Sequence, residues 1–206
     1  MTIVNYICAF MLLVVSGFTF SQDSLKINQT DDRGLKQGKW IYQNDHNEML
    51  RGPAEIHADF VDDTIHGDYE VYTLGGKLIV HYKVTKGIRT GIGYEYYLSG
   101  KIHRIYYLLA DREAHTLEFD GKSRLSWEYT QKEHKMVGPY KSYRKGKLFI
   151  LKNYNDEGQL DGPFIYYYSN GQERHVLLFK DDVAVRQKRY SRSGKLLFDS
   201  DTRNIE

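Results

Sequence analysis

Of the 206 residues only one is a cysteine, Cys8, and it lies in the apolar opening stretch. Beyond that stretch the chain has no thiol, so neither a disulfide nor a thiolate metal ligand can hold it together. Proline is nearly as scarce. There are three, and two of them, Pro139 and Pro163, directly follow the anchor glycines Gly138 and Gly162, where a strand starts rather than where it runs. Tryptophan is limited to Trp40 and Trp127. No segment shows helical periodicity; apolar residues recur at alternate positions or continuously, which argues against a helical class. Neither sign of charge dominates, with 29 Lys and Arg against 27 Asp and Glu spread along the chain. A nucleic-acid binder gathers its basic residues on a face or stripe, so nucleic acid is not an expected partner.

Charge is absent altogether from Met1 to Gln22. Ile3 to Phe20 is almost wholly apolar and leads into Thr19-Phe20-Ser21, which places small residues three and one before a cut ahead of Gln22. This is the plan of a secretory signal peptide over residues 1–21, although no Lys or Arg precedes the apolar segment. The alternative is an uncleaved anchor, for which the stretch is short against the roughly 20 apolar residues of a span. Export to the periplasm, the cell envelope or the medium is therefore expected, with no transmembrane span in the mature chain. Residues 22–33 are expected to be a flexible mature N-terminus.

What the chain has in quantity is 18 tyrosines and 18 glycines, and they recur together. Units beginning at Gly67, Gly91, Gly138 and Gly162 each carry an aromatic residue or glycine two positions on, a tyrosine five positions on, and a further glycine shortly after. Examples are Gly67-Asp-Tyr69-Glu-Val-Tyr72 up to Gly76-Lys77, and Gly138-Pro-Tyr140-Lys-Ser-Tyr143 up to Gly146-Lys147. Worn copies start at Gly38, near His115 and at Val185, giving about seven units at a period near 24 residues. The interval from Gly38 to Gly67 is long, so residues 44–62 are expected to hold an insertion or a distorted hairpin. Each unit reads as an aromatic strand, a Gly-Lys turn, an apolar strand such as Leu78 to Tyr82, and a second turn such as Lys86-Gly87. Glycine suits such turns because they require positive φ. The fold predicted is all-β: an elongated, twisted antiparallel meander over residues 34–198, followed by a polar tail over 199–206.

This unit of Gly-x-aromatic-x-x-Tyr followed by Gly-Lys-Leu resembles the MORN repeat in its bacterial variant, a variant shared with a group labelled YwqK-family antitoxins. The resemblance covers roughly residues 34–198. It implies an elongated, curved antiparallel sheet used for contacts with proteins or membrane surfaces. The chain departs from the pattern at Gly93, where an aromatic residue usually stands, in the degenerate unit of residues 115–133, and in the long first interval.

Chemistry was sought at three kinds of position. The histidines His57, His66 and His81 lack the short spacings and carboxylate or thiolate company of a zinc site, so no metal is expected. The acidic pairs Asp31-Asp32, Asp62-Asp63 and Asp181-Asp182 fall in predicted turns or near the start of the mature chain, where solvated turn residues explain them better than a glycosidase pair. No nucleophile elbow or phosphate loop is present, so no catalytic residue or cofactor site is expected. The remaining signal is tyrosine. Tyr69, Tyr72, Tyr94, Tyr96, Tyr97, Tyr140, Tyr143, Tyr166, Tyr167 and Tyr168 form the candidate interaction surface, since tyrosine supplies rigid area and a hydroxyl. Consecutive tyrosines in a strand must point to opposite faces, and cross-strand ring packing alone would also account for them. The function expected is a non-enzymatic exported scaffold for protein–protein contacts at the cell envelope. The alternatives are a carbohydrate or cell-wall binding module and an antitoxin-like protein that neutralises a partner.

Overall fold

Alternating apolar and polar residues punctuated by glycine give strands, and the computed structural model, which describes residues 26–47, 50–110 and 113–201, contains strands and no helix. They are β1 Gln29–Thr30, β2 Lys36–Asn47, β3 Gly52–Val61, β4 Thr64–Thr73 and β5 Leu78–Thr85. Next come β6 Ile88–Tyr96, β7 Ile102–Ala110, β8 Glu113–Phe119, β9 Leu125–Lys132 and β10 Lys135–Arg144. The last five are β11 Lys147–Tyr154, β12 Gly162–Tyr167, β13 Glu173–Lys180, β14 Val183–Tyr190 and β15 Leu196–Asp201. All fifteen lie in sequence order in one open sheet. The expected all-β antiparallel meander is the observed architecture. Residues 1–25, which include the expected leader, lie outside the described residues.

The sheet reaches slightly beyond the stretch expected to form it: β1 pairs with β2 through Gln29 and Thr30, and β15 pairs with β14 as far as Asp201. The long first interval is accommodated in the strands themselves. β2 and β3 have 12 and 10 residues, and Leu50, near the tip of their hairpin, packs back onto the buried cluster.

The turns at the two edges of the sheet differ. At one edge, two-residue turns at Asp62-Asp63, Lys86-Gly87, Glu133-His134 and Asp181-Asp182 have positive φ at both positions, the backbone that matches strand twist in a tight hairpin. Three of these four contain no glycine, so a search by glycine alone passes over them. At the other edge most turns are longer, and those after β4, β6, β8, β12 and β14 close with the same pair of backbone bonds, as in Thr73 N–H to the Lys77 carbonyl and Gly76 N–H to the Thr73 carbonyl, both 2.9 Å; at the first edge the β1–β2 and β11–β12 turns close in this way too. In the degenerate unit Ser123, at φ 60°, takes the left-handed position that Gly76, Gly100, Gly171 and Gly194 hold elsewhere.

This second edge explains the Gly-Lys pairs. Lys77 donates to the Leu98 carbonyl at 3.0 Å, Lys101 to Gly121 at 3.0 Å, and Lys147 to Ser169 at 3.1 Å, so each lysine ties its turn to the next turn along the edge. Every hairpin from β4–β5 to β14–β15 also carries a bulge just past this turn. Val71 faces Val80 and Tyr72 faces Leu78, which leaves Ile79 without a partner, and His103, Ser126, Phe149, Arg174 and Leu197 stand in the same place in the following hairpins. A bulge bends the strand and re-aims the extra side chain.

Cross-strand partners share a face, so the register defines two faces. One row runs Ile56–Val71–Val80–Glu95–Arg104–Glu118, and its neighbour on the opposite face runs His57–Glu70–His81–Tyr94–Ile105–Leu117. We call the face of Ile56 the first face. Over β3–β7 it holds the buried core of Ala54, Ile56, Ala58, Phe60, Val71, Val80, Tyr82, Val84 and Tyr106. Each well-buried Val or Ile side chain there contributes roughly 1.5–3 kcal/mol. Past β7 the buried apolar side chains among the described residues are Val137 and Ile165, and they lie on the opposite face.

Gly93 belongs to this core. Its partner Tyr106 lays its ring across it, so a Cβ at position 93 would meet the ring at 2.0 Å. The aromatic residue missing from strand β6 is thus supplied by strand β7. Gly93→Ala is expected to cost about 1–3 kcal/mol in urea unfolding, as overpacked sites do. A cycle with Tyr106→Leu tests the contact: the two changes are expected to be strongly non-additive, and simple additivity rejects the ring-over-glycine account.

Candidate functional site

The register distributes the ten candidate tyrosines over the molecule instead of gathering them on one side. Tyr69, Tyr140 and Tyr166 lie on the first face; Tyr72, Tyr94, Tyr96, Tyr143 and Tyr167 lie on the opposite face; Tyr97 and Tyr168 sit in the turns of the second edge. Most are engaged in packing. Tyr69 stacks on Tyr82 at 4.8 Å, Tyr72 tilts against His57 at 4.5 Å, and Tyr94 lies between His81 and Tyr96 at 6.3 and 6.4 Å. Tyr140 stacks on Tyr129 at 6.0 Å and Tyr166 on Phe164 at 4.9 Å. The hydroxyls of Tyr97 and Tyr168 donate to the carbonyls of Phe119 and Tyr190, at 2.7 and 3.0 Å, and so act as braces from turn to turn.

The bulges create hollows along the second edge. One of them, about 940 Å³, opens on the first face between the β2–β3 tip and β4–β7. Tyr69, Tyr82 and Tyr106 form its aromatic floor, Ile79 and His103 enter it from their bulges, and Asn44, His46 and Leu50 overhang it. Arg89 lies over the Tyr82 ring at 4.5 Å. Its polar wall is a network: Arg104 bonds Glu95 at 3.0 Å and Glu118 at 2.9 Å, and the Tyr129 hydroxyl donates to Glu118 at 2.6 Å. These carboxylates are only 13 % and 14 % exposed, so Arg104 offsets a desolvation that neither would bear alone. Burial pushes the Tyr106 phenol well above its usual range. An aromatic floor with a few fixed polar groups is the composition of a binding cleft.

A second hollow of about 460 Å³ lies among the turns that close β10–β11, β12–β13 and β14–β15. Phe149, Leu148, Tyr167 and Tyr168 supply its apolar part, and Arg144, Lys145, Lys147, Arg174 and Arg192 surround them.

The residues weighed for other chemistry have structural partners. Asp31 accepts from the Arg33 and Leu35 amides, Asp63 from the Lys36 amide at 2.8 Å, and Asp182 from the Leu160 amide at 2.7 Å. Asp62 pairs with Arg33 and Asp181 with Asn155, while Asp32 is exposed. His57 bonds Glu55 at 2.7 Å, His81 bonds Asp68 at 3.1 Å, and His66 accepts weakly from the Lys86 amide. Among the described residues no three such side chains converge as metal ligands, and no helix is long and apolar enough to cross a membrane.

Sequence reasoning passed over Tyr82, Arg89, Glu95, Arg104 and Tyr106. They stand in strands read only as apolar or polar runs, and they meet through register, which spacing along one strand does not reveal. One signal was present: the missing aromatic residue at Gly93 marks the place where a neighbouring ring fills the gap. No family model matches the chain, and no curated protein matches it.

Tyr129 and Tyr143 both donate to carboxylates, Glu118 and Glu128. Burial first, then these bonds, push each phenol up to about 12. A raised phenol stabilises the fold below pH 10, the unfolded value, and that contribution is lost as the pH rises through about 12. Absorbance titration is expected to show late-ionising tyrosines, with the amplitude near pH 12 reduced in the Tyr129→Phe and Tyr143→Phe variants while the Tyr106 component stays; an unchanged high-pH limb rejects the assignment. Arg104→Ala, which strands two half-buried carboxylates, is expected to cost about 2–3 kcal/mol in urea unfolding, and Arg104→Lys less.

Proposed function

We propose that this chain is a non-enzymatic, exported scaffold of MORN-type hairpin repeats whose partner is a protein of the cell envelope. The observation that carries this reading is the aromatic row left partly open on the first face past the core. There Tyr129 meets Tyr140, Phe164 meets both Tyr166 and Phe179, and Phe198 on the last strand is 41 % exposed. No second layer covers these rings among the described residues. Arg189 lies over Phe198 at 5.6 Å, and Lys152 over Phe164 at 5.0 Å. Aromatic residues and arginine are the types enriched in protein interfaces. The repeat reading is supported by the bulge that occupies one place in six consecutive hairpins and by the lysines that bridge successive turns. An antitoxin-like role would use the same surface, but export would place it away from an intracellular toxin.

A carbohydrate or cell-wall ligand is the second reading, favoured by the floor of Tyr69, Tyr82 and Tyr106 in the larger cleft. Against it, Tyr69 and Arg89 already cover ring surface of Tyr82, which a stacked sugar would need.

The test is binding of the labelled chain to envelope fractions of its source cell, before and after digestion with protease or with glycan hydrolases. The expected result is binding that protease abolishes and glycan digestion leaves intact; the reverse pattern supports the carbohydrate reading and rejects the protein partner. Phe164→Ser with Tyr166→Ser is expected to weaken binding about tenfold, the scale of an interface anchor, with a melting curve that keeps its cooperativity.

A further inference from the structure

The basic hollow at the second edge is built differently from the rest of the charged surface. On much of the remaining surface arginine sits against a carboxylate, as Arg33 does with Asp31, Arg104 with Glu95, Arg124 with Asp120 and Arg186 with Asp199, whereas Arg89 lies over the Tyr82 ring. Around the 460 Å³ hollow the pattern stops: Arg144, Lys145, Lys147, Arg174 and Arg192 have no ion-pair partner among the described residues, and no carboxylate lines the space. The nearest acid in the register is Glu173, across from Tyr167, whose phenol it helps to push up. Like charges gathered around one cavity repel each other, a cost that an anionic ligand removes.

The guanidinium planes are also held. Arg144 lies 3.9 Å over the Phe149 ring and Arg174 5.8 Å over the Tyr168 ring. Arg192 donates to the Ser169 hydroxyl at 2.7 Å, and Lys147 to the Ser169 carbonyl at 3.1 Å. A guanidinium placed over an aromatic face is held by the ring without using its N–H donors, which leaves them able to take a carboxylate. A neighbouring hollow of about 250 Å³ shares Tyr168 and Arg174 and adds Arg189, itself stacked on Phe198 at 5.6 Å. The stacked pairs Arg144–Phe149, Arg174–Tyr168 and Arg189–Phe198 therefore fall on successive hairpins and form a track instead of a single point.

We infer that this track binds an acidic, extended peptide segment of a protein partner, with its carboxylates taken by Arg144, Arg174 and Arg189 and the surrounding cations supplying the field. The inference rests on the partner being a protein, as proposed above. Arg144, Arg174 and Arg189 stand on β10, β13 and β14, so they are three strand spacings and then one apart, about 14 and about 5 Å, and an extended chain rises about 3.3 Å per residue. The segment recognised thus carries Asp or Glu at a first position, about four residues further on, and about two residues beyond that. A phosphate or sulfate ion would occupy one guanidinium and leave the others unsatisfied.

The experiment is fluorescence anisotropy with a labelled ten-residue peptide bearing Glu at its second, sixth and eighth positions, against the intact chain. Binding is expected to weaken with added salt and to disappear when the Glu residues are replaced by Gln. Arg144→Ala with Arg174→Ala is expected to weaken it about tenfold or more, the effect of losing charge-assisted bonds. Arg144→Lys with Arg174→Lys keeps the charge and loses the fork, so it is expected to fall between. Lys83→Gln, at an exposed cation of β5, is expected to leave binding unchanged. Equal binding by the double alanine variant overturns the inference, as does tighter binding of a galacturonate oligosaccharide or of inorganic sulfate at the same site. If the double variant loses the peptide but still binds envelope fractions in a protease-sensitive manner, the track is upheld as a peptide site while the scaffold uses another surface as well. If it keeps both, the scaffold reading stands and the track falls.

Discussion

Every strand of this sheet hydrogen-bonds only to strands adjacent in the chain, and among the described residues no second layer presses on either face. The constraint that follows governs the rest. A one-layer sheet buries little, so it depends on its backbone ladder and on whatever ties one hairpin to the next. The ties are visible at the second edge: lysine ammonium groups and tyrosine hydroxyls reach from turn to turn and satisfy carbonyls that the ladder leaves over. Gly-Lys is therefore a device of two parts, with the glycine making the turn and the lysine fastening it.

The buried side chains change faces midway. Over β3–β7 they lie with Ile56; past β7, Val137 and Ile165 lie on the opposite side. Arg104, Glu95, Glu118 and Tyr129 occupy the first face where the change occurs. Their network replaces apolar packing with directed bonds at the place where the core ends. It keeps the sheet continuous without requiring either face to be apolar along its full length.

What sequence could reveal was set by range. Strand, turn and glycine positions follow from residues close together in the chain, so the all-β meander was legible, as were turns such as Lys86-Gly87. Glu133-His134 and Ser123 were not: they adopt left-handed backbone without the glycine that announces it. The candidate site was legible only in part. Tyr69, Tyr96, Tyr97, Tyr167 and Tyr168 do line the hollows at the second edge, but Arg144, Arg174 and Tyr106 join them through register and bulges, which pairing between strands decides. An overall charge near neutrality concealed a local cluster, because the aspartates that balance it stand largely at the opposite ends of the strands.

The bulges carry a consequence for how such a molecule diversifies. Each one frees a single side chain from the ladder at the same place in its hairpin, and those side chains include Ile79, His103, Phe149, Arg174 and Leu197. Ile79 is buried in the core and fixed by its packing, but at the other bulges the extra residue is left out of the ladder and can be exchanged with little effect on strand pairing. Past the core, histidine, phenylalanine, arginine and leucine stand as different letters at one place on a repeated backbone, and the wall of each hollow is rewritten one residue at a time while the framework stays the same.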